Sequence, residues 1–206
     1  MGASRLQSAR LYVITPDASR ERVIEVATGA VRGGADVIQL RHKTLPRGAL
    51  LDLARELRPL ITDALFIVND HAVRTAEQGD VHLGPDDLSV AAARRVTGDR
   101  LLIGASASSP DAARQAIAAG ADYVGSGPAF ATPIKSQKKV IGPQGIAEIV
   151  KAVAPVPVFA IGGVDEHNVA ELTAVGIHRV CVIRAVGDAA DPEQATRRLR
   201  AMLSGR

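Results

Sequence analysis

Gly33-Gly34-Ala35-Asp36-Val37-Ile38 and Gly120-Ala121-Asp122-Tyr123-Val124 are two copies of one pattern: a glycine able to end a helix, then a short apolar run. Variants stand at Gly79-Asp80-Val81-His82-Leu83 and Gly176-Ile177-His178-Arg179-Val180. Glycine suits the position just past a helix because the backbone there usually takes a positive φ. Outward from these stretches, apolar runs bounded by turn residues predict strands at 11–15, 36–41, 65–69, 80–83, 101–105, 122–125, 157–161 and 179–184. Helical stretches are predicted at about 20–32, 47–60, 71–78, 89–97, 110–118, 143–153, 166–175 and 192–203. Short strands alternating with helices require crossovers and a parallel sheet. Eight such units in about 200 residues predict an α/β fold, a (β/α)8 TIM barrel forming a single domain over 1–206. A doubly wound open sheet is the alternative. Its dinucleotide-binding version loses support, because Thr15-Pro16-Asp17 stands where the glycine-rich fingerprint would follow the first strand.

Composition narrows the function. Hydrophobic residues make up 47% but aromatic ones only 2%, so the predicted core is Ala, Val, Leu and Ile, as in buried parallel strands under small-residue helices. The net charge of +3 is dispersed, and with no Trp, two Tyr and three Phe the chain lacks the stacking platforms of a nucleic-acid binder. Small anionic ligands account for the surplus. Cys181, the single cysteine, lies in the apolar run Val180-Cys181-Val182-Ile183 and reads as a buried core residue. No disulfide can form within the chain, which fits a reducing compartment. Met1 to Arg10 has no apolar signal region and no apolar run spans a membrane, so a cytoplasmic protein with no membrane partner is expected.

In such a barrel the site lies at the C-terminal ends of the strands, and here those ends are polar. The run from Asp122 through Gly125, Gly127 and Thr132 to Lys135 reads as a strand opening into an anion-binding loop, where Gly125 and Gly127 let backbone approach the ligand. Only five of the 25 basic residues are lysine, and three of them are Lys135, Lys138 and Lys139. Strand alternation would put Gln39, Arg41 and Lys43 on one face at the barrel mouth, a costly placement of two cations unless a polyanion lies between them. Asp70, after Asn69, and Asp87 supply carboxylates from neighbouring strand ends, a plausible Mg²⁺ pair. Asp87 reads equally well as part of a helix N-cap near Ser89. Ser106 ends the fifth strand, and Gly162-Gly163 reads as a phosphate cradle after the seventh. His82, His167 and His178 show no metal-ligand spacing, so no zinc is assigned.

Six motifs occur in order: Leu11-Tyr12-Val13-Ile14-Thr15, Gln39-x-Arg41-x-Lys43, Val68-Asn69-Asp70, His82-Leu83-Gly84-x-x-Asp87, Gly127-Pro128-x-Phe130-x-Thr132-x-x-Lys135 and Ile161-Gly162-Gly163. Together they resemble the thiamine phosphate synthase (thiamine-phosphate pyrophosphorylase) family over nearly the whole chain. The resemblance implies a (β/α)8 transferase that joins hydroxymethylpyrimidine diphosphate to a thiazole phosphate, releasing pyrophosphate. By the same resemblance Gln39 meets the pyrimidine, and Arg41, Lys43, Asn69, Ser106 and Lys135 hold the diphosphate. Asp70 and Asp87 bind Mg²⁺. Thr132, Pro133, Ile134, Gly163, Ile183 and Arg184 hold the thiazole phosphate. Catalysis would fall to Lys135, Ser106, Arg41 and Lys43, with small molecules as partners and a homo-oligomer left open. The chain departs from the family pattern at Pro85 (usually Gln), Ile134 (usually Thr) and Arg184 (usually Ser). Rival readings are a thiazole tautomerase-like paralogue, which typically has His where Pro128 stands, and a non-catalytic barrel that binds a phosphate ligand.

Overall fold

The computed structural model describes residues 2–69, 79–133, 137 and 139–204. Strands β1 (Leu11–Ile14), β2 (Val37–Leu40), β3 (Leu65–Asn69), β4 (Asp80–Leu83), β5 (Ile103–Ala107), β6 (Tyr123–Ser126), β7 (Val158–Ile161) and β8 (Val180–Val182) close into one parallel barrel in chain order. β8 pairs with β1 through Leu11 opposite Val180 and Val13 opposite Val182, so no sheet edge remains. The open-sheet alternative is thereby excluded.

Among the described residues the outer layer comprises α2 (Arg20–Arg32), α3 (Arg47–Leu57), α4 (Val90–Thr97), α5 (Pro110–Ala118), α6 (Gly142–Val153), α7 (Val169–Ala174), the single turn α8 (Arg184–Gly187) and α9 (Pro192–Ser204), and the helix expected at 71–78 lies outside those residues. Serines start three of them: Ser19, Ser89 and Ser109 accept from the N–H groups of Arg22, Ala92 and Ala112 at 3.3, 3.3 and 3.2 Å. These bonds satisfy N–H groups that have no partner within the helix. A helix the sequence reading did not anticipate, α1 (Gly2–Ser8), closes the bottom of the barrel. Its Leu6 and the following Ala9 join the cluster inside the barrel, and Arg179 grips it through Nη2 to the Gln7 carbonyl at 2.6 Å. The stretch 166–175 is helical only over Val169–Ala174.

The repeated Gly-Ala-Asp pattern has a structural purpose at the N-terminal end of the barrel. Gly34 and Gly120 end their helices with φ of 89° and 103°. The aspartate then fastens a neighbouring strand. Asp36 accepts from the N–H groups of Arg10 and Leu11 at 2.7 and 2.9 Å, Asp122 from Ile103 at 2.7 Å, and Asp80 from Leu102 at 2.9 Å. Arginines from the outer layer, Arg200 on Asp36 and Arg94 on Asp122, complete two of these anchors.

Strand alternation divides the interior in two. Leu11, Val13, Ile38, Leu40, Val68, Val124 and Val182 face the helices in one aliphatic cluster. Tyr12, Ile14, Val37, Ile67, Tyr123, Phe159 and Cys181 face the lumen in another. The expectation of an aliphatic core describes the first cluster. The lumen adds aromatic rings to its aliphatic residues, with Tyr12 and Tyr123 both edge-on to Phe159 at ring-centroid distances of 5.3 and 5.8 Å. No helix among the described residues is long and apolar enough to cross a membrane.

Candidate active site

A cavity of about 500 Å³ opens at the C-terminal mouth. Among its lining residues are Ser106 from β5, Thr132 and Pro133 from the loop after β6, Gly163 after β7, and Ile183 and Arg184 after β8. The fold thus brings together six residues singled out from sequence. Lys135, Ile134 and Asp70 lie outside the described residues.

The β6 loop reaches its place by docking on the glycine pair after β7. Ala129 N–H donates to the Ile161 carbonyl at 2.8 Å, and Phe130 N–H to the Gly162 carbonyl at 2.9 Å. Gly162 and Gly163 have φ of 98° and 68°, and a Cβ on them would lie 2.7 Å from Pro128 and 2.6 Å from the Ala131 carbonyl. Both the backbone conformation and the close approach demand glycine. The Gly163 carbonyl accepts from Asn168 Nδ2 at 2.7 Å, so the carbonyls of both glycines are occupied by protein. Gly125 and Gly127 also line the cavity, and at Gly127 packing makes its own demand for glycine, since a Cβ there would sit 2.0 Å from the Ile161 carbonyl oxygen.

The polar end of β2 also differs from expectation. The strand stops at Leu40, and alternation does not carry on to Arg41 and Lys43. Gln39 points into the lumen, 1% exposed, and donates from Nε2 to Tyr12 Oη at 2.6 Å. Arg41 pairs with Asp17 at 3.0 Å, while the Lys43 side chain is exposed and its N–H donates to the other Asp17 oxygen at 2.5 Å. Arg41 and Lys43 therefore do not form a face of two uncompensated buried cations, because Lys43 is exposed and Asp17 of the β1–α2 loop supplies a counter-charge to Arg41. Asp17 was not singled out in the sequence, where it follows Pro16 like any turn residue. Thr15 and His42 hold the same corner. Thr15 Oγ1 accepts from Arg41 N–H at 3.0 Å, and His42 Nδ1 accepts from Leu45 N–H at 3.2 Å. Nε2 of His42 is then the donor to the Ala18 carbonyl at 2.9 Å.

Asn69 ends β3 opposite His82. Asp87 is exposed on the loop after β4, where Oδ2 accepts from Gly84 N–H at 2.7 Å. Ser89, not Asp87, caps the following helix. That leaves the N-cap reading of Asp87 without support. Among the described residues no three His, Cys, Asp or Glu side chains gather as a metal cluster. Magnesium asks less, one or two carboxylates with water and phosphate oxygens, and an exposed carboxylate on the mouth fits that donor set.

Sequence reasoning left His82 without a role. Its Nε2 lies 3.1 Å from Ser106 Oγ and its Nδ1 3.2 Å from Tyr123 Oη. Tyr123 Oη lies 3.0 Å from Tyr12 Oη. Burial pushes both phenols well above their ordinary pKa, so each keeps its O–H. A sequence-level signal existed: three of the chain's five Tyr and Phe residues, Tyr12, Tyr123 and Phe159, fall on strands whose inward positions also carry Gly104 and Gly125, the first directly beside Tyr123.

Residues 11–186 match the family described as thiamine monophosphate synthase. The chain belongs to that family. A solved structure from Pyrococcus furiosus, titled thiamine phosphate pyrophosphorylase, is 36% identical with a TM-score of 0.86 and covers 97% of both chains. Curated thiamine-phosphate synthases from Gloeobacter violaceus and Moorella thermoacetica are each 41% identical. The match takes in 94% of this chain in both cases, but 57% of the Gloeobacter protein and 95% of the Moorella one. The chain therefore spans little more than half the length of some relatives, and the family barrel accounts for the part they share.

Proposed function

We propose that this chain is a cytoplasmic, Mg²⁺-dependent thiamine phosphate synthase, which joins an aminopyrimidine methyl diphosphate to a thiazole phosphate and releases pyrophosphate. The observation that carries the reading is the gathering of Ser106, Thr132, Gly163, Ile183 and Arg184 around one cavity of about 500 Å³ in a barrel of this family.

In the proposed reaction the bond between the pyrimidine methylene and the diphosphate oxygen breaks, and its electron pair leaves with the diphosphate. The thiazole nitrogen supplies the pair for the new carbon–nitrogen bond, giving a thiazolium. The main task of the protein is to stabilise charge growing on the leaving group. Arg41, Lys43, Asn69, Ser106 and Lys135 take that role, and Asp17 holds the Arg41 guanidinium in place beforehand. Asp70 and Asp87 would hold Mg²⁺, whose charge adds to theirs on the diphosphate. The N–H groups of the Gly162-Gly163 turn, with Thr132 and the Ile183-Arg184 segment, hold the thiazole phosphate. Orientation then brings the thiazole nitrogen in line with the methylene.

Purified protein given both substrates and Mg²⁺ should form thiamine phosphate and pyrophosphate in equal amounts. Asp87→Ala should remove this turnover while leaving the thermal midpoint within a few degrees, because Asp87 is exposed and outside both core clusters. Isomerisation of a carboxylated thiazole phosphate without the pyrimidine would favour the tautomerase-like reading. Ligand binding with no turnover would favour the silent barrel.

A further inference from the structure

We propose that Gln39, Tyr12, Tyr123, His82 and Ser106 form a polarised hydrogen-bond chain through the barrel core, in which Tyr123 and His82 are positioning residues that fix Ser106 as a donor to the leaving diphosphate. The proposal rests on the reading above, in which Gln39 meets the pyrimidine and Ser106 the diphosphate.

The links are continuous at 2.6, 3.0, 3.2 and 3.1 Å from Gln39 Nε2 to Ser106 Oγ. Each phenol has one proton and a neutral imidazole has one, and a phenol buried in the lumen cannot leave its O–H unpaired without cost, so with every O–H used along these four links the chain runs in two senses. When Gln39 Nε2 donates to Tyr12, Tyr12 donates to Tyr123, Tyr123 to His82 Nδ1, and His82 Nε2 to Ser106. The Ser106 proton is then left to point at an anion in the cavity. In the opposite sense Ser106 donates its proton to His82 and turns lone pairs towards the diphosphate, which repel it.

The sense is chosen at the Gln39 end. Its Oε1 is buried and has no hydrogen-bond partner among the described residues. A buried acceptor of that kind is costly until something donates to it. The exocyclic amine of an aminopyrimidine is such a donor, and by occupying Oε1 it holds Nε2 on Tyr12. Recognition of the correct ring is thereby transmitted to the hydroxyl that stabilises its leaving group.

The strands reserve room for this chain. A Cβ on Gly104 would lie 2.0 Å from Tyr123 Cζ, and one on Gly125 would lie 3.2 Å from His82 Cε1. Both are inward positions in β5 and β6, and both neighbours belong to the chain.

The test is a double-mutant cycle with purified full chain, using Tyr123→Phe, Ser106→Ala and the pair, and measuring kcat and KM for the pyrimidine diphosphate. Tyr123→Phe should lower kcat about tenfold with KM little changed, and should lower it by less than about threefold further when Ser106 is already alanine. An equal loss in both backgrounds, or no loss in the first, overturns the proposal and leaves Tyr123 as packing alone. If Tyr123→Phe does not fold, His82→Gln and His82→Leu decide the matter. Glutamine can still donate to Ser106 and should keep more activity than leucine, and equal activity overturns the chain. A wild-type protein that makes no thiamine phosphate would instead defeat the functional reading.

Discussion

The outward and inward faces of the same strands are made of different materials. Outward, Leu40, Val68, Val124 and Val182 pack against the helices as interchangeable aliphatics. Inward, one residue away on the same strands, stand Gln39, Asn69 and Tyr123, with His82 and Ser106 on the strands between them. The outer layer needs volume, and any set of apolar residues of similar size would supply it. The lumen needs particular atoms at particular distances, because its polar groups are buried and must find one another. Stability is thus concentrated on one face and chemistry on the other, separated by the thickness of a strand.

Adjacent residues on β2 put this division to its hardest test. Leu40 is fully buried against the helices, and Leu40→Ala should destabilise the protein by about 2–5 kcal/mol, the usual cost of a large-to-small core change. Molecules that remain folded should show unchanged KM for both substrates. Urea titration followed by kinetics below the transition checks both halves, and a raised KM would mean that the outer layer also sets site geometry.

Gln39→Met should show the reverse. It keeps the volume and removes a buried amide whose Oε1 is orphaned, so stability should move by less than about 1 kcal/mol. The loss should appear in kcat/KM for the pyrimidine diphosphate, by about 30-fold to 150-fold, or roughly 2–3 kcal/mol. A large drop in thermal midpoint with normal kinetics would erase the contrast between the two faces.

The outward face was far more legible in the sequence than the inward one. Apolar runs bounded by turn residues and helix-ending glycines are local signals, and they place β3 (Leu65–Asn69) and β4 (Asp80–Leu83) to the residue. The lumen chain joins Tyr12 to Tyr123, 111 positions apart, and no local pattern reports such a meeting. Arg41 and Lys43 show the same limit, since alternation ends when β2 ends and Asp17, 24 residues upstream of Arg41, takes over their placement. The rim residues Ser106, Thr132 and Gly163 could be picked out because strand ends converge in a closed barrel, whereas Arg184 came only from the family resemblance. What each does there depends on neighbours from other strands.

Arg184 tests the rim between the two faces. It opens the turn α8 and turns to Asp188, Nε to Oδ2 at 2.8 Å, with more than half of its side chain exposed. An exposed pair of this kind contributes little to stability, and its arginine can still reach a phosphate. Arg184→Ser should leave the thermal midpoint unchanged and raise KM for the thiazole phosphate, by roughly 0.5–1.5 kcal/mol of lost contact. A lower KM in the serine variant would show that the guanidinium obstructs the site.

Asp80, at the foot of the lumen, asks whether polar groups there are needed for anything beyond fastening strands. Burial pushes its carboxyl above the ordinary value of 3.8 and the nearby Asp122 adds to the rise, while the bond from Leu102 N–H opposes it. A raised folded-state pKa means that the native protein still holds a proton which the unfolded chain has released. Stability therefore falls as pH rises from the ordinary value through the raised one, and above that window the whole cost of the buried charge is present. Asp80→Asn keeps an Oδ1 that can accept from Leu102 and removes the charge facing Asp122. Its thermal midpoint at pH 7 should equal or slightly exceed that of the wild type, by a few tenths to about 1 kcal/mol, and its profile across the window should be flatter. Turnover should not change, since the residue lies at the opposite end of the barrel from the cavity. A lower midpoint at pH 7 would mean that the ionised carboxylate holds Leu102 more strongly than burial and Asp122 penalise it. In that case charge at the foot of the barrel stabilises the fold outright, and the line between a stabilising outer face and a chemical lumen would have to be drawn by height along the barrel as well as by side of the strand.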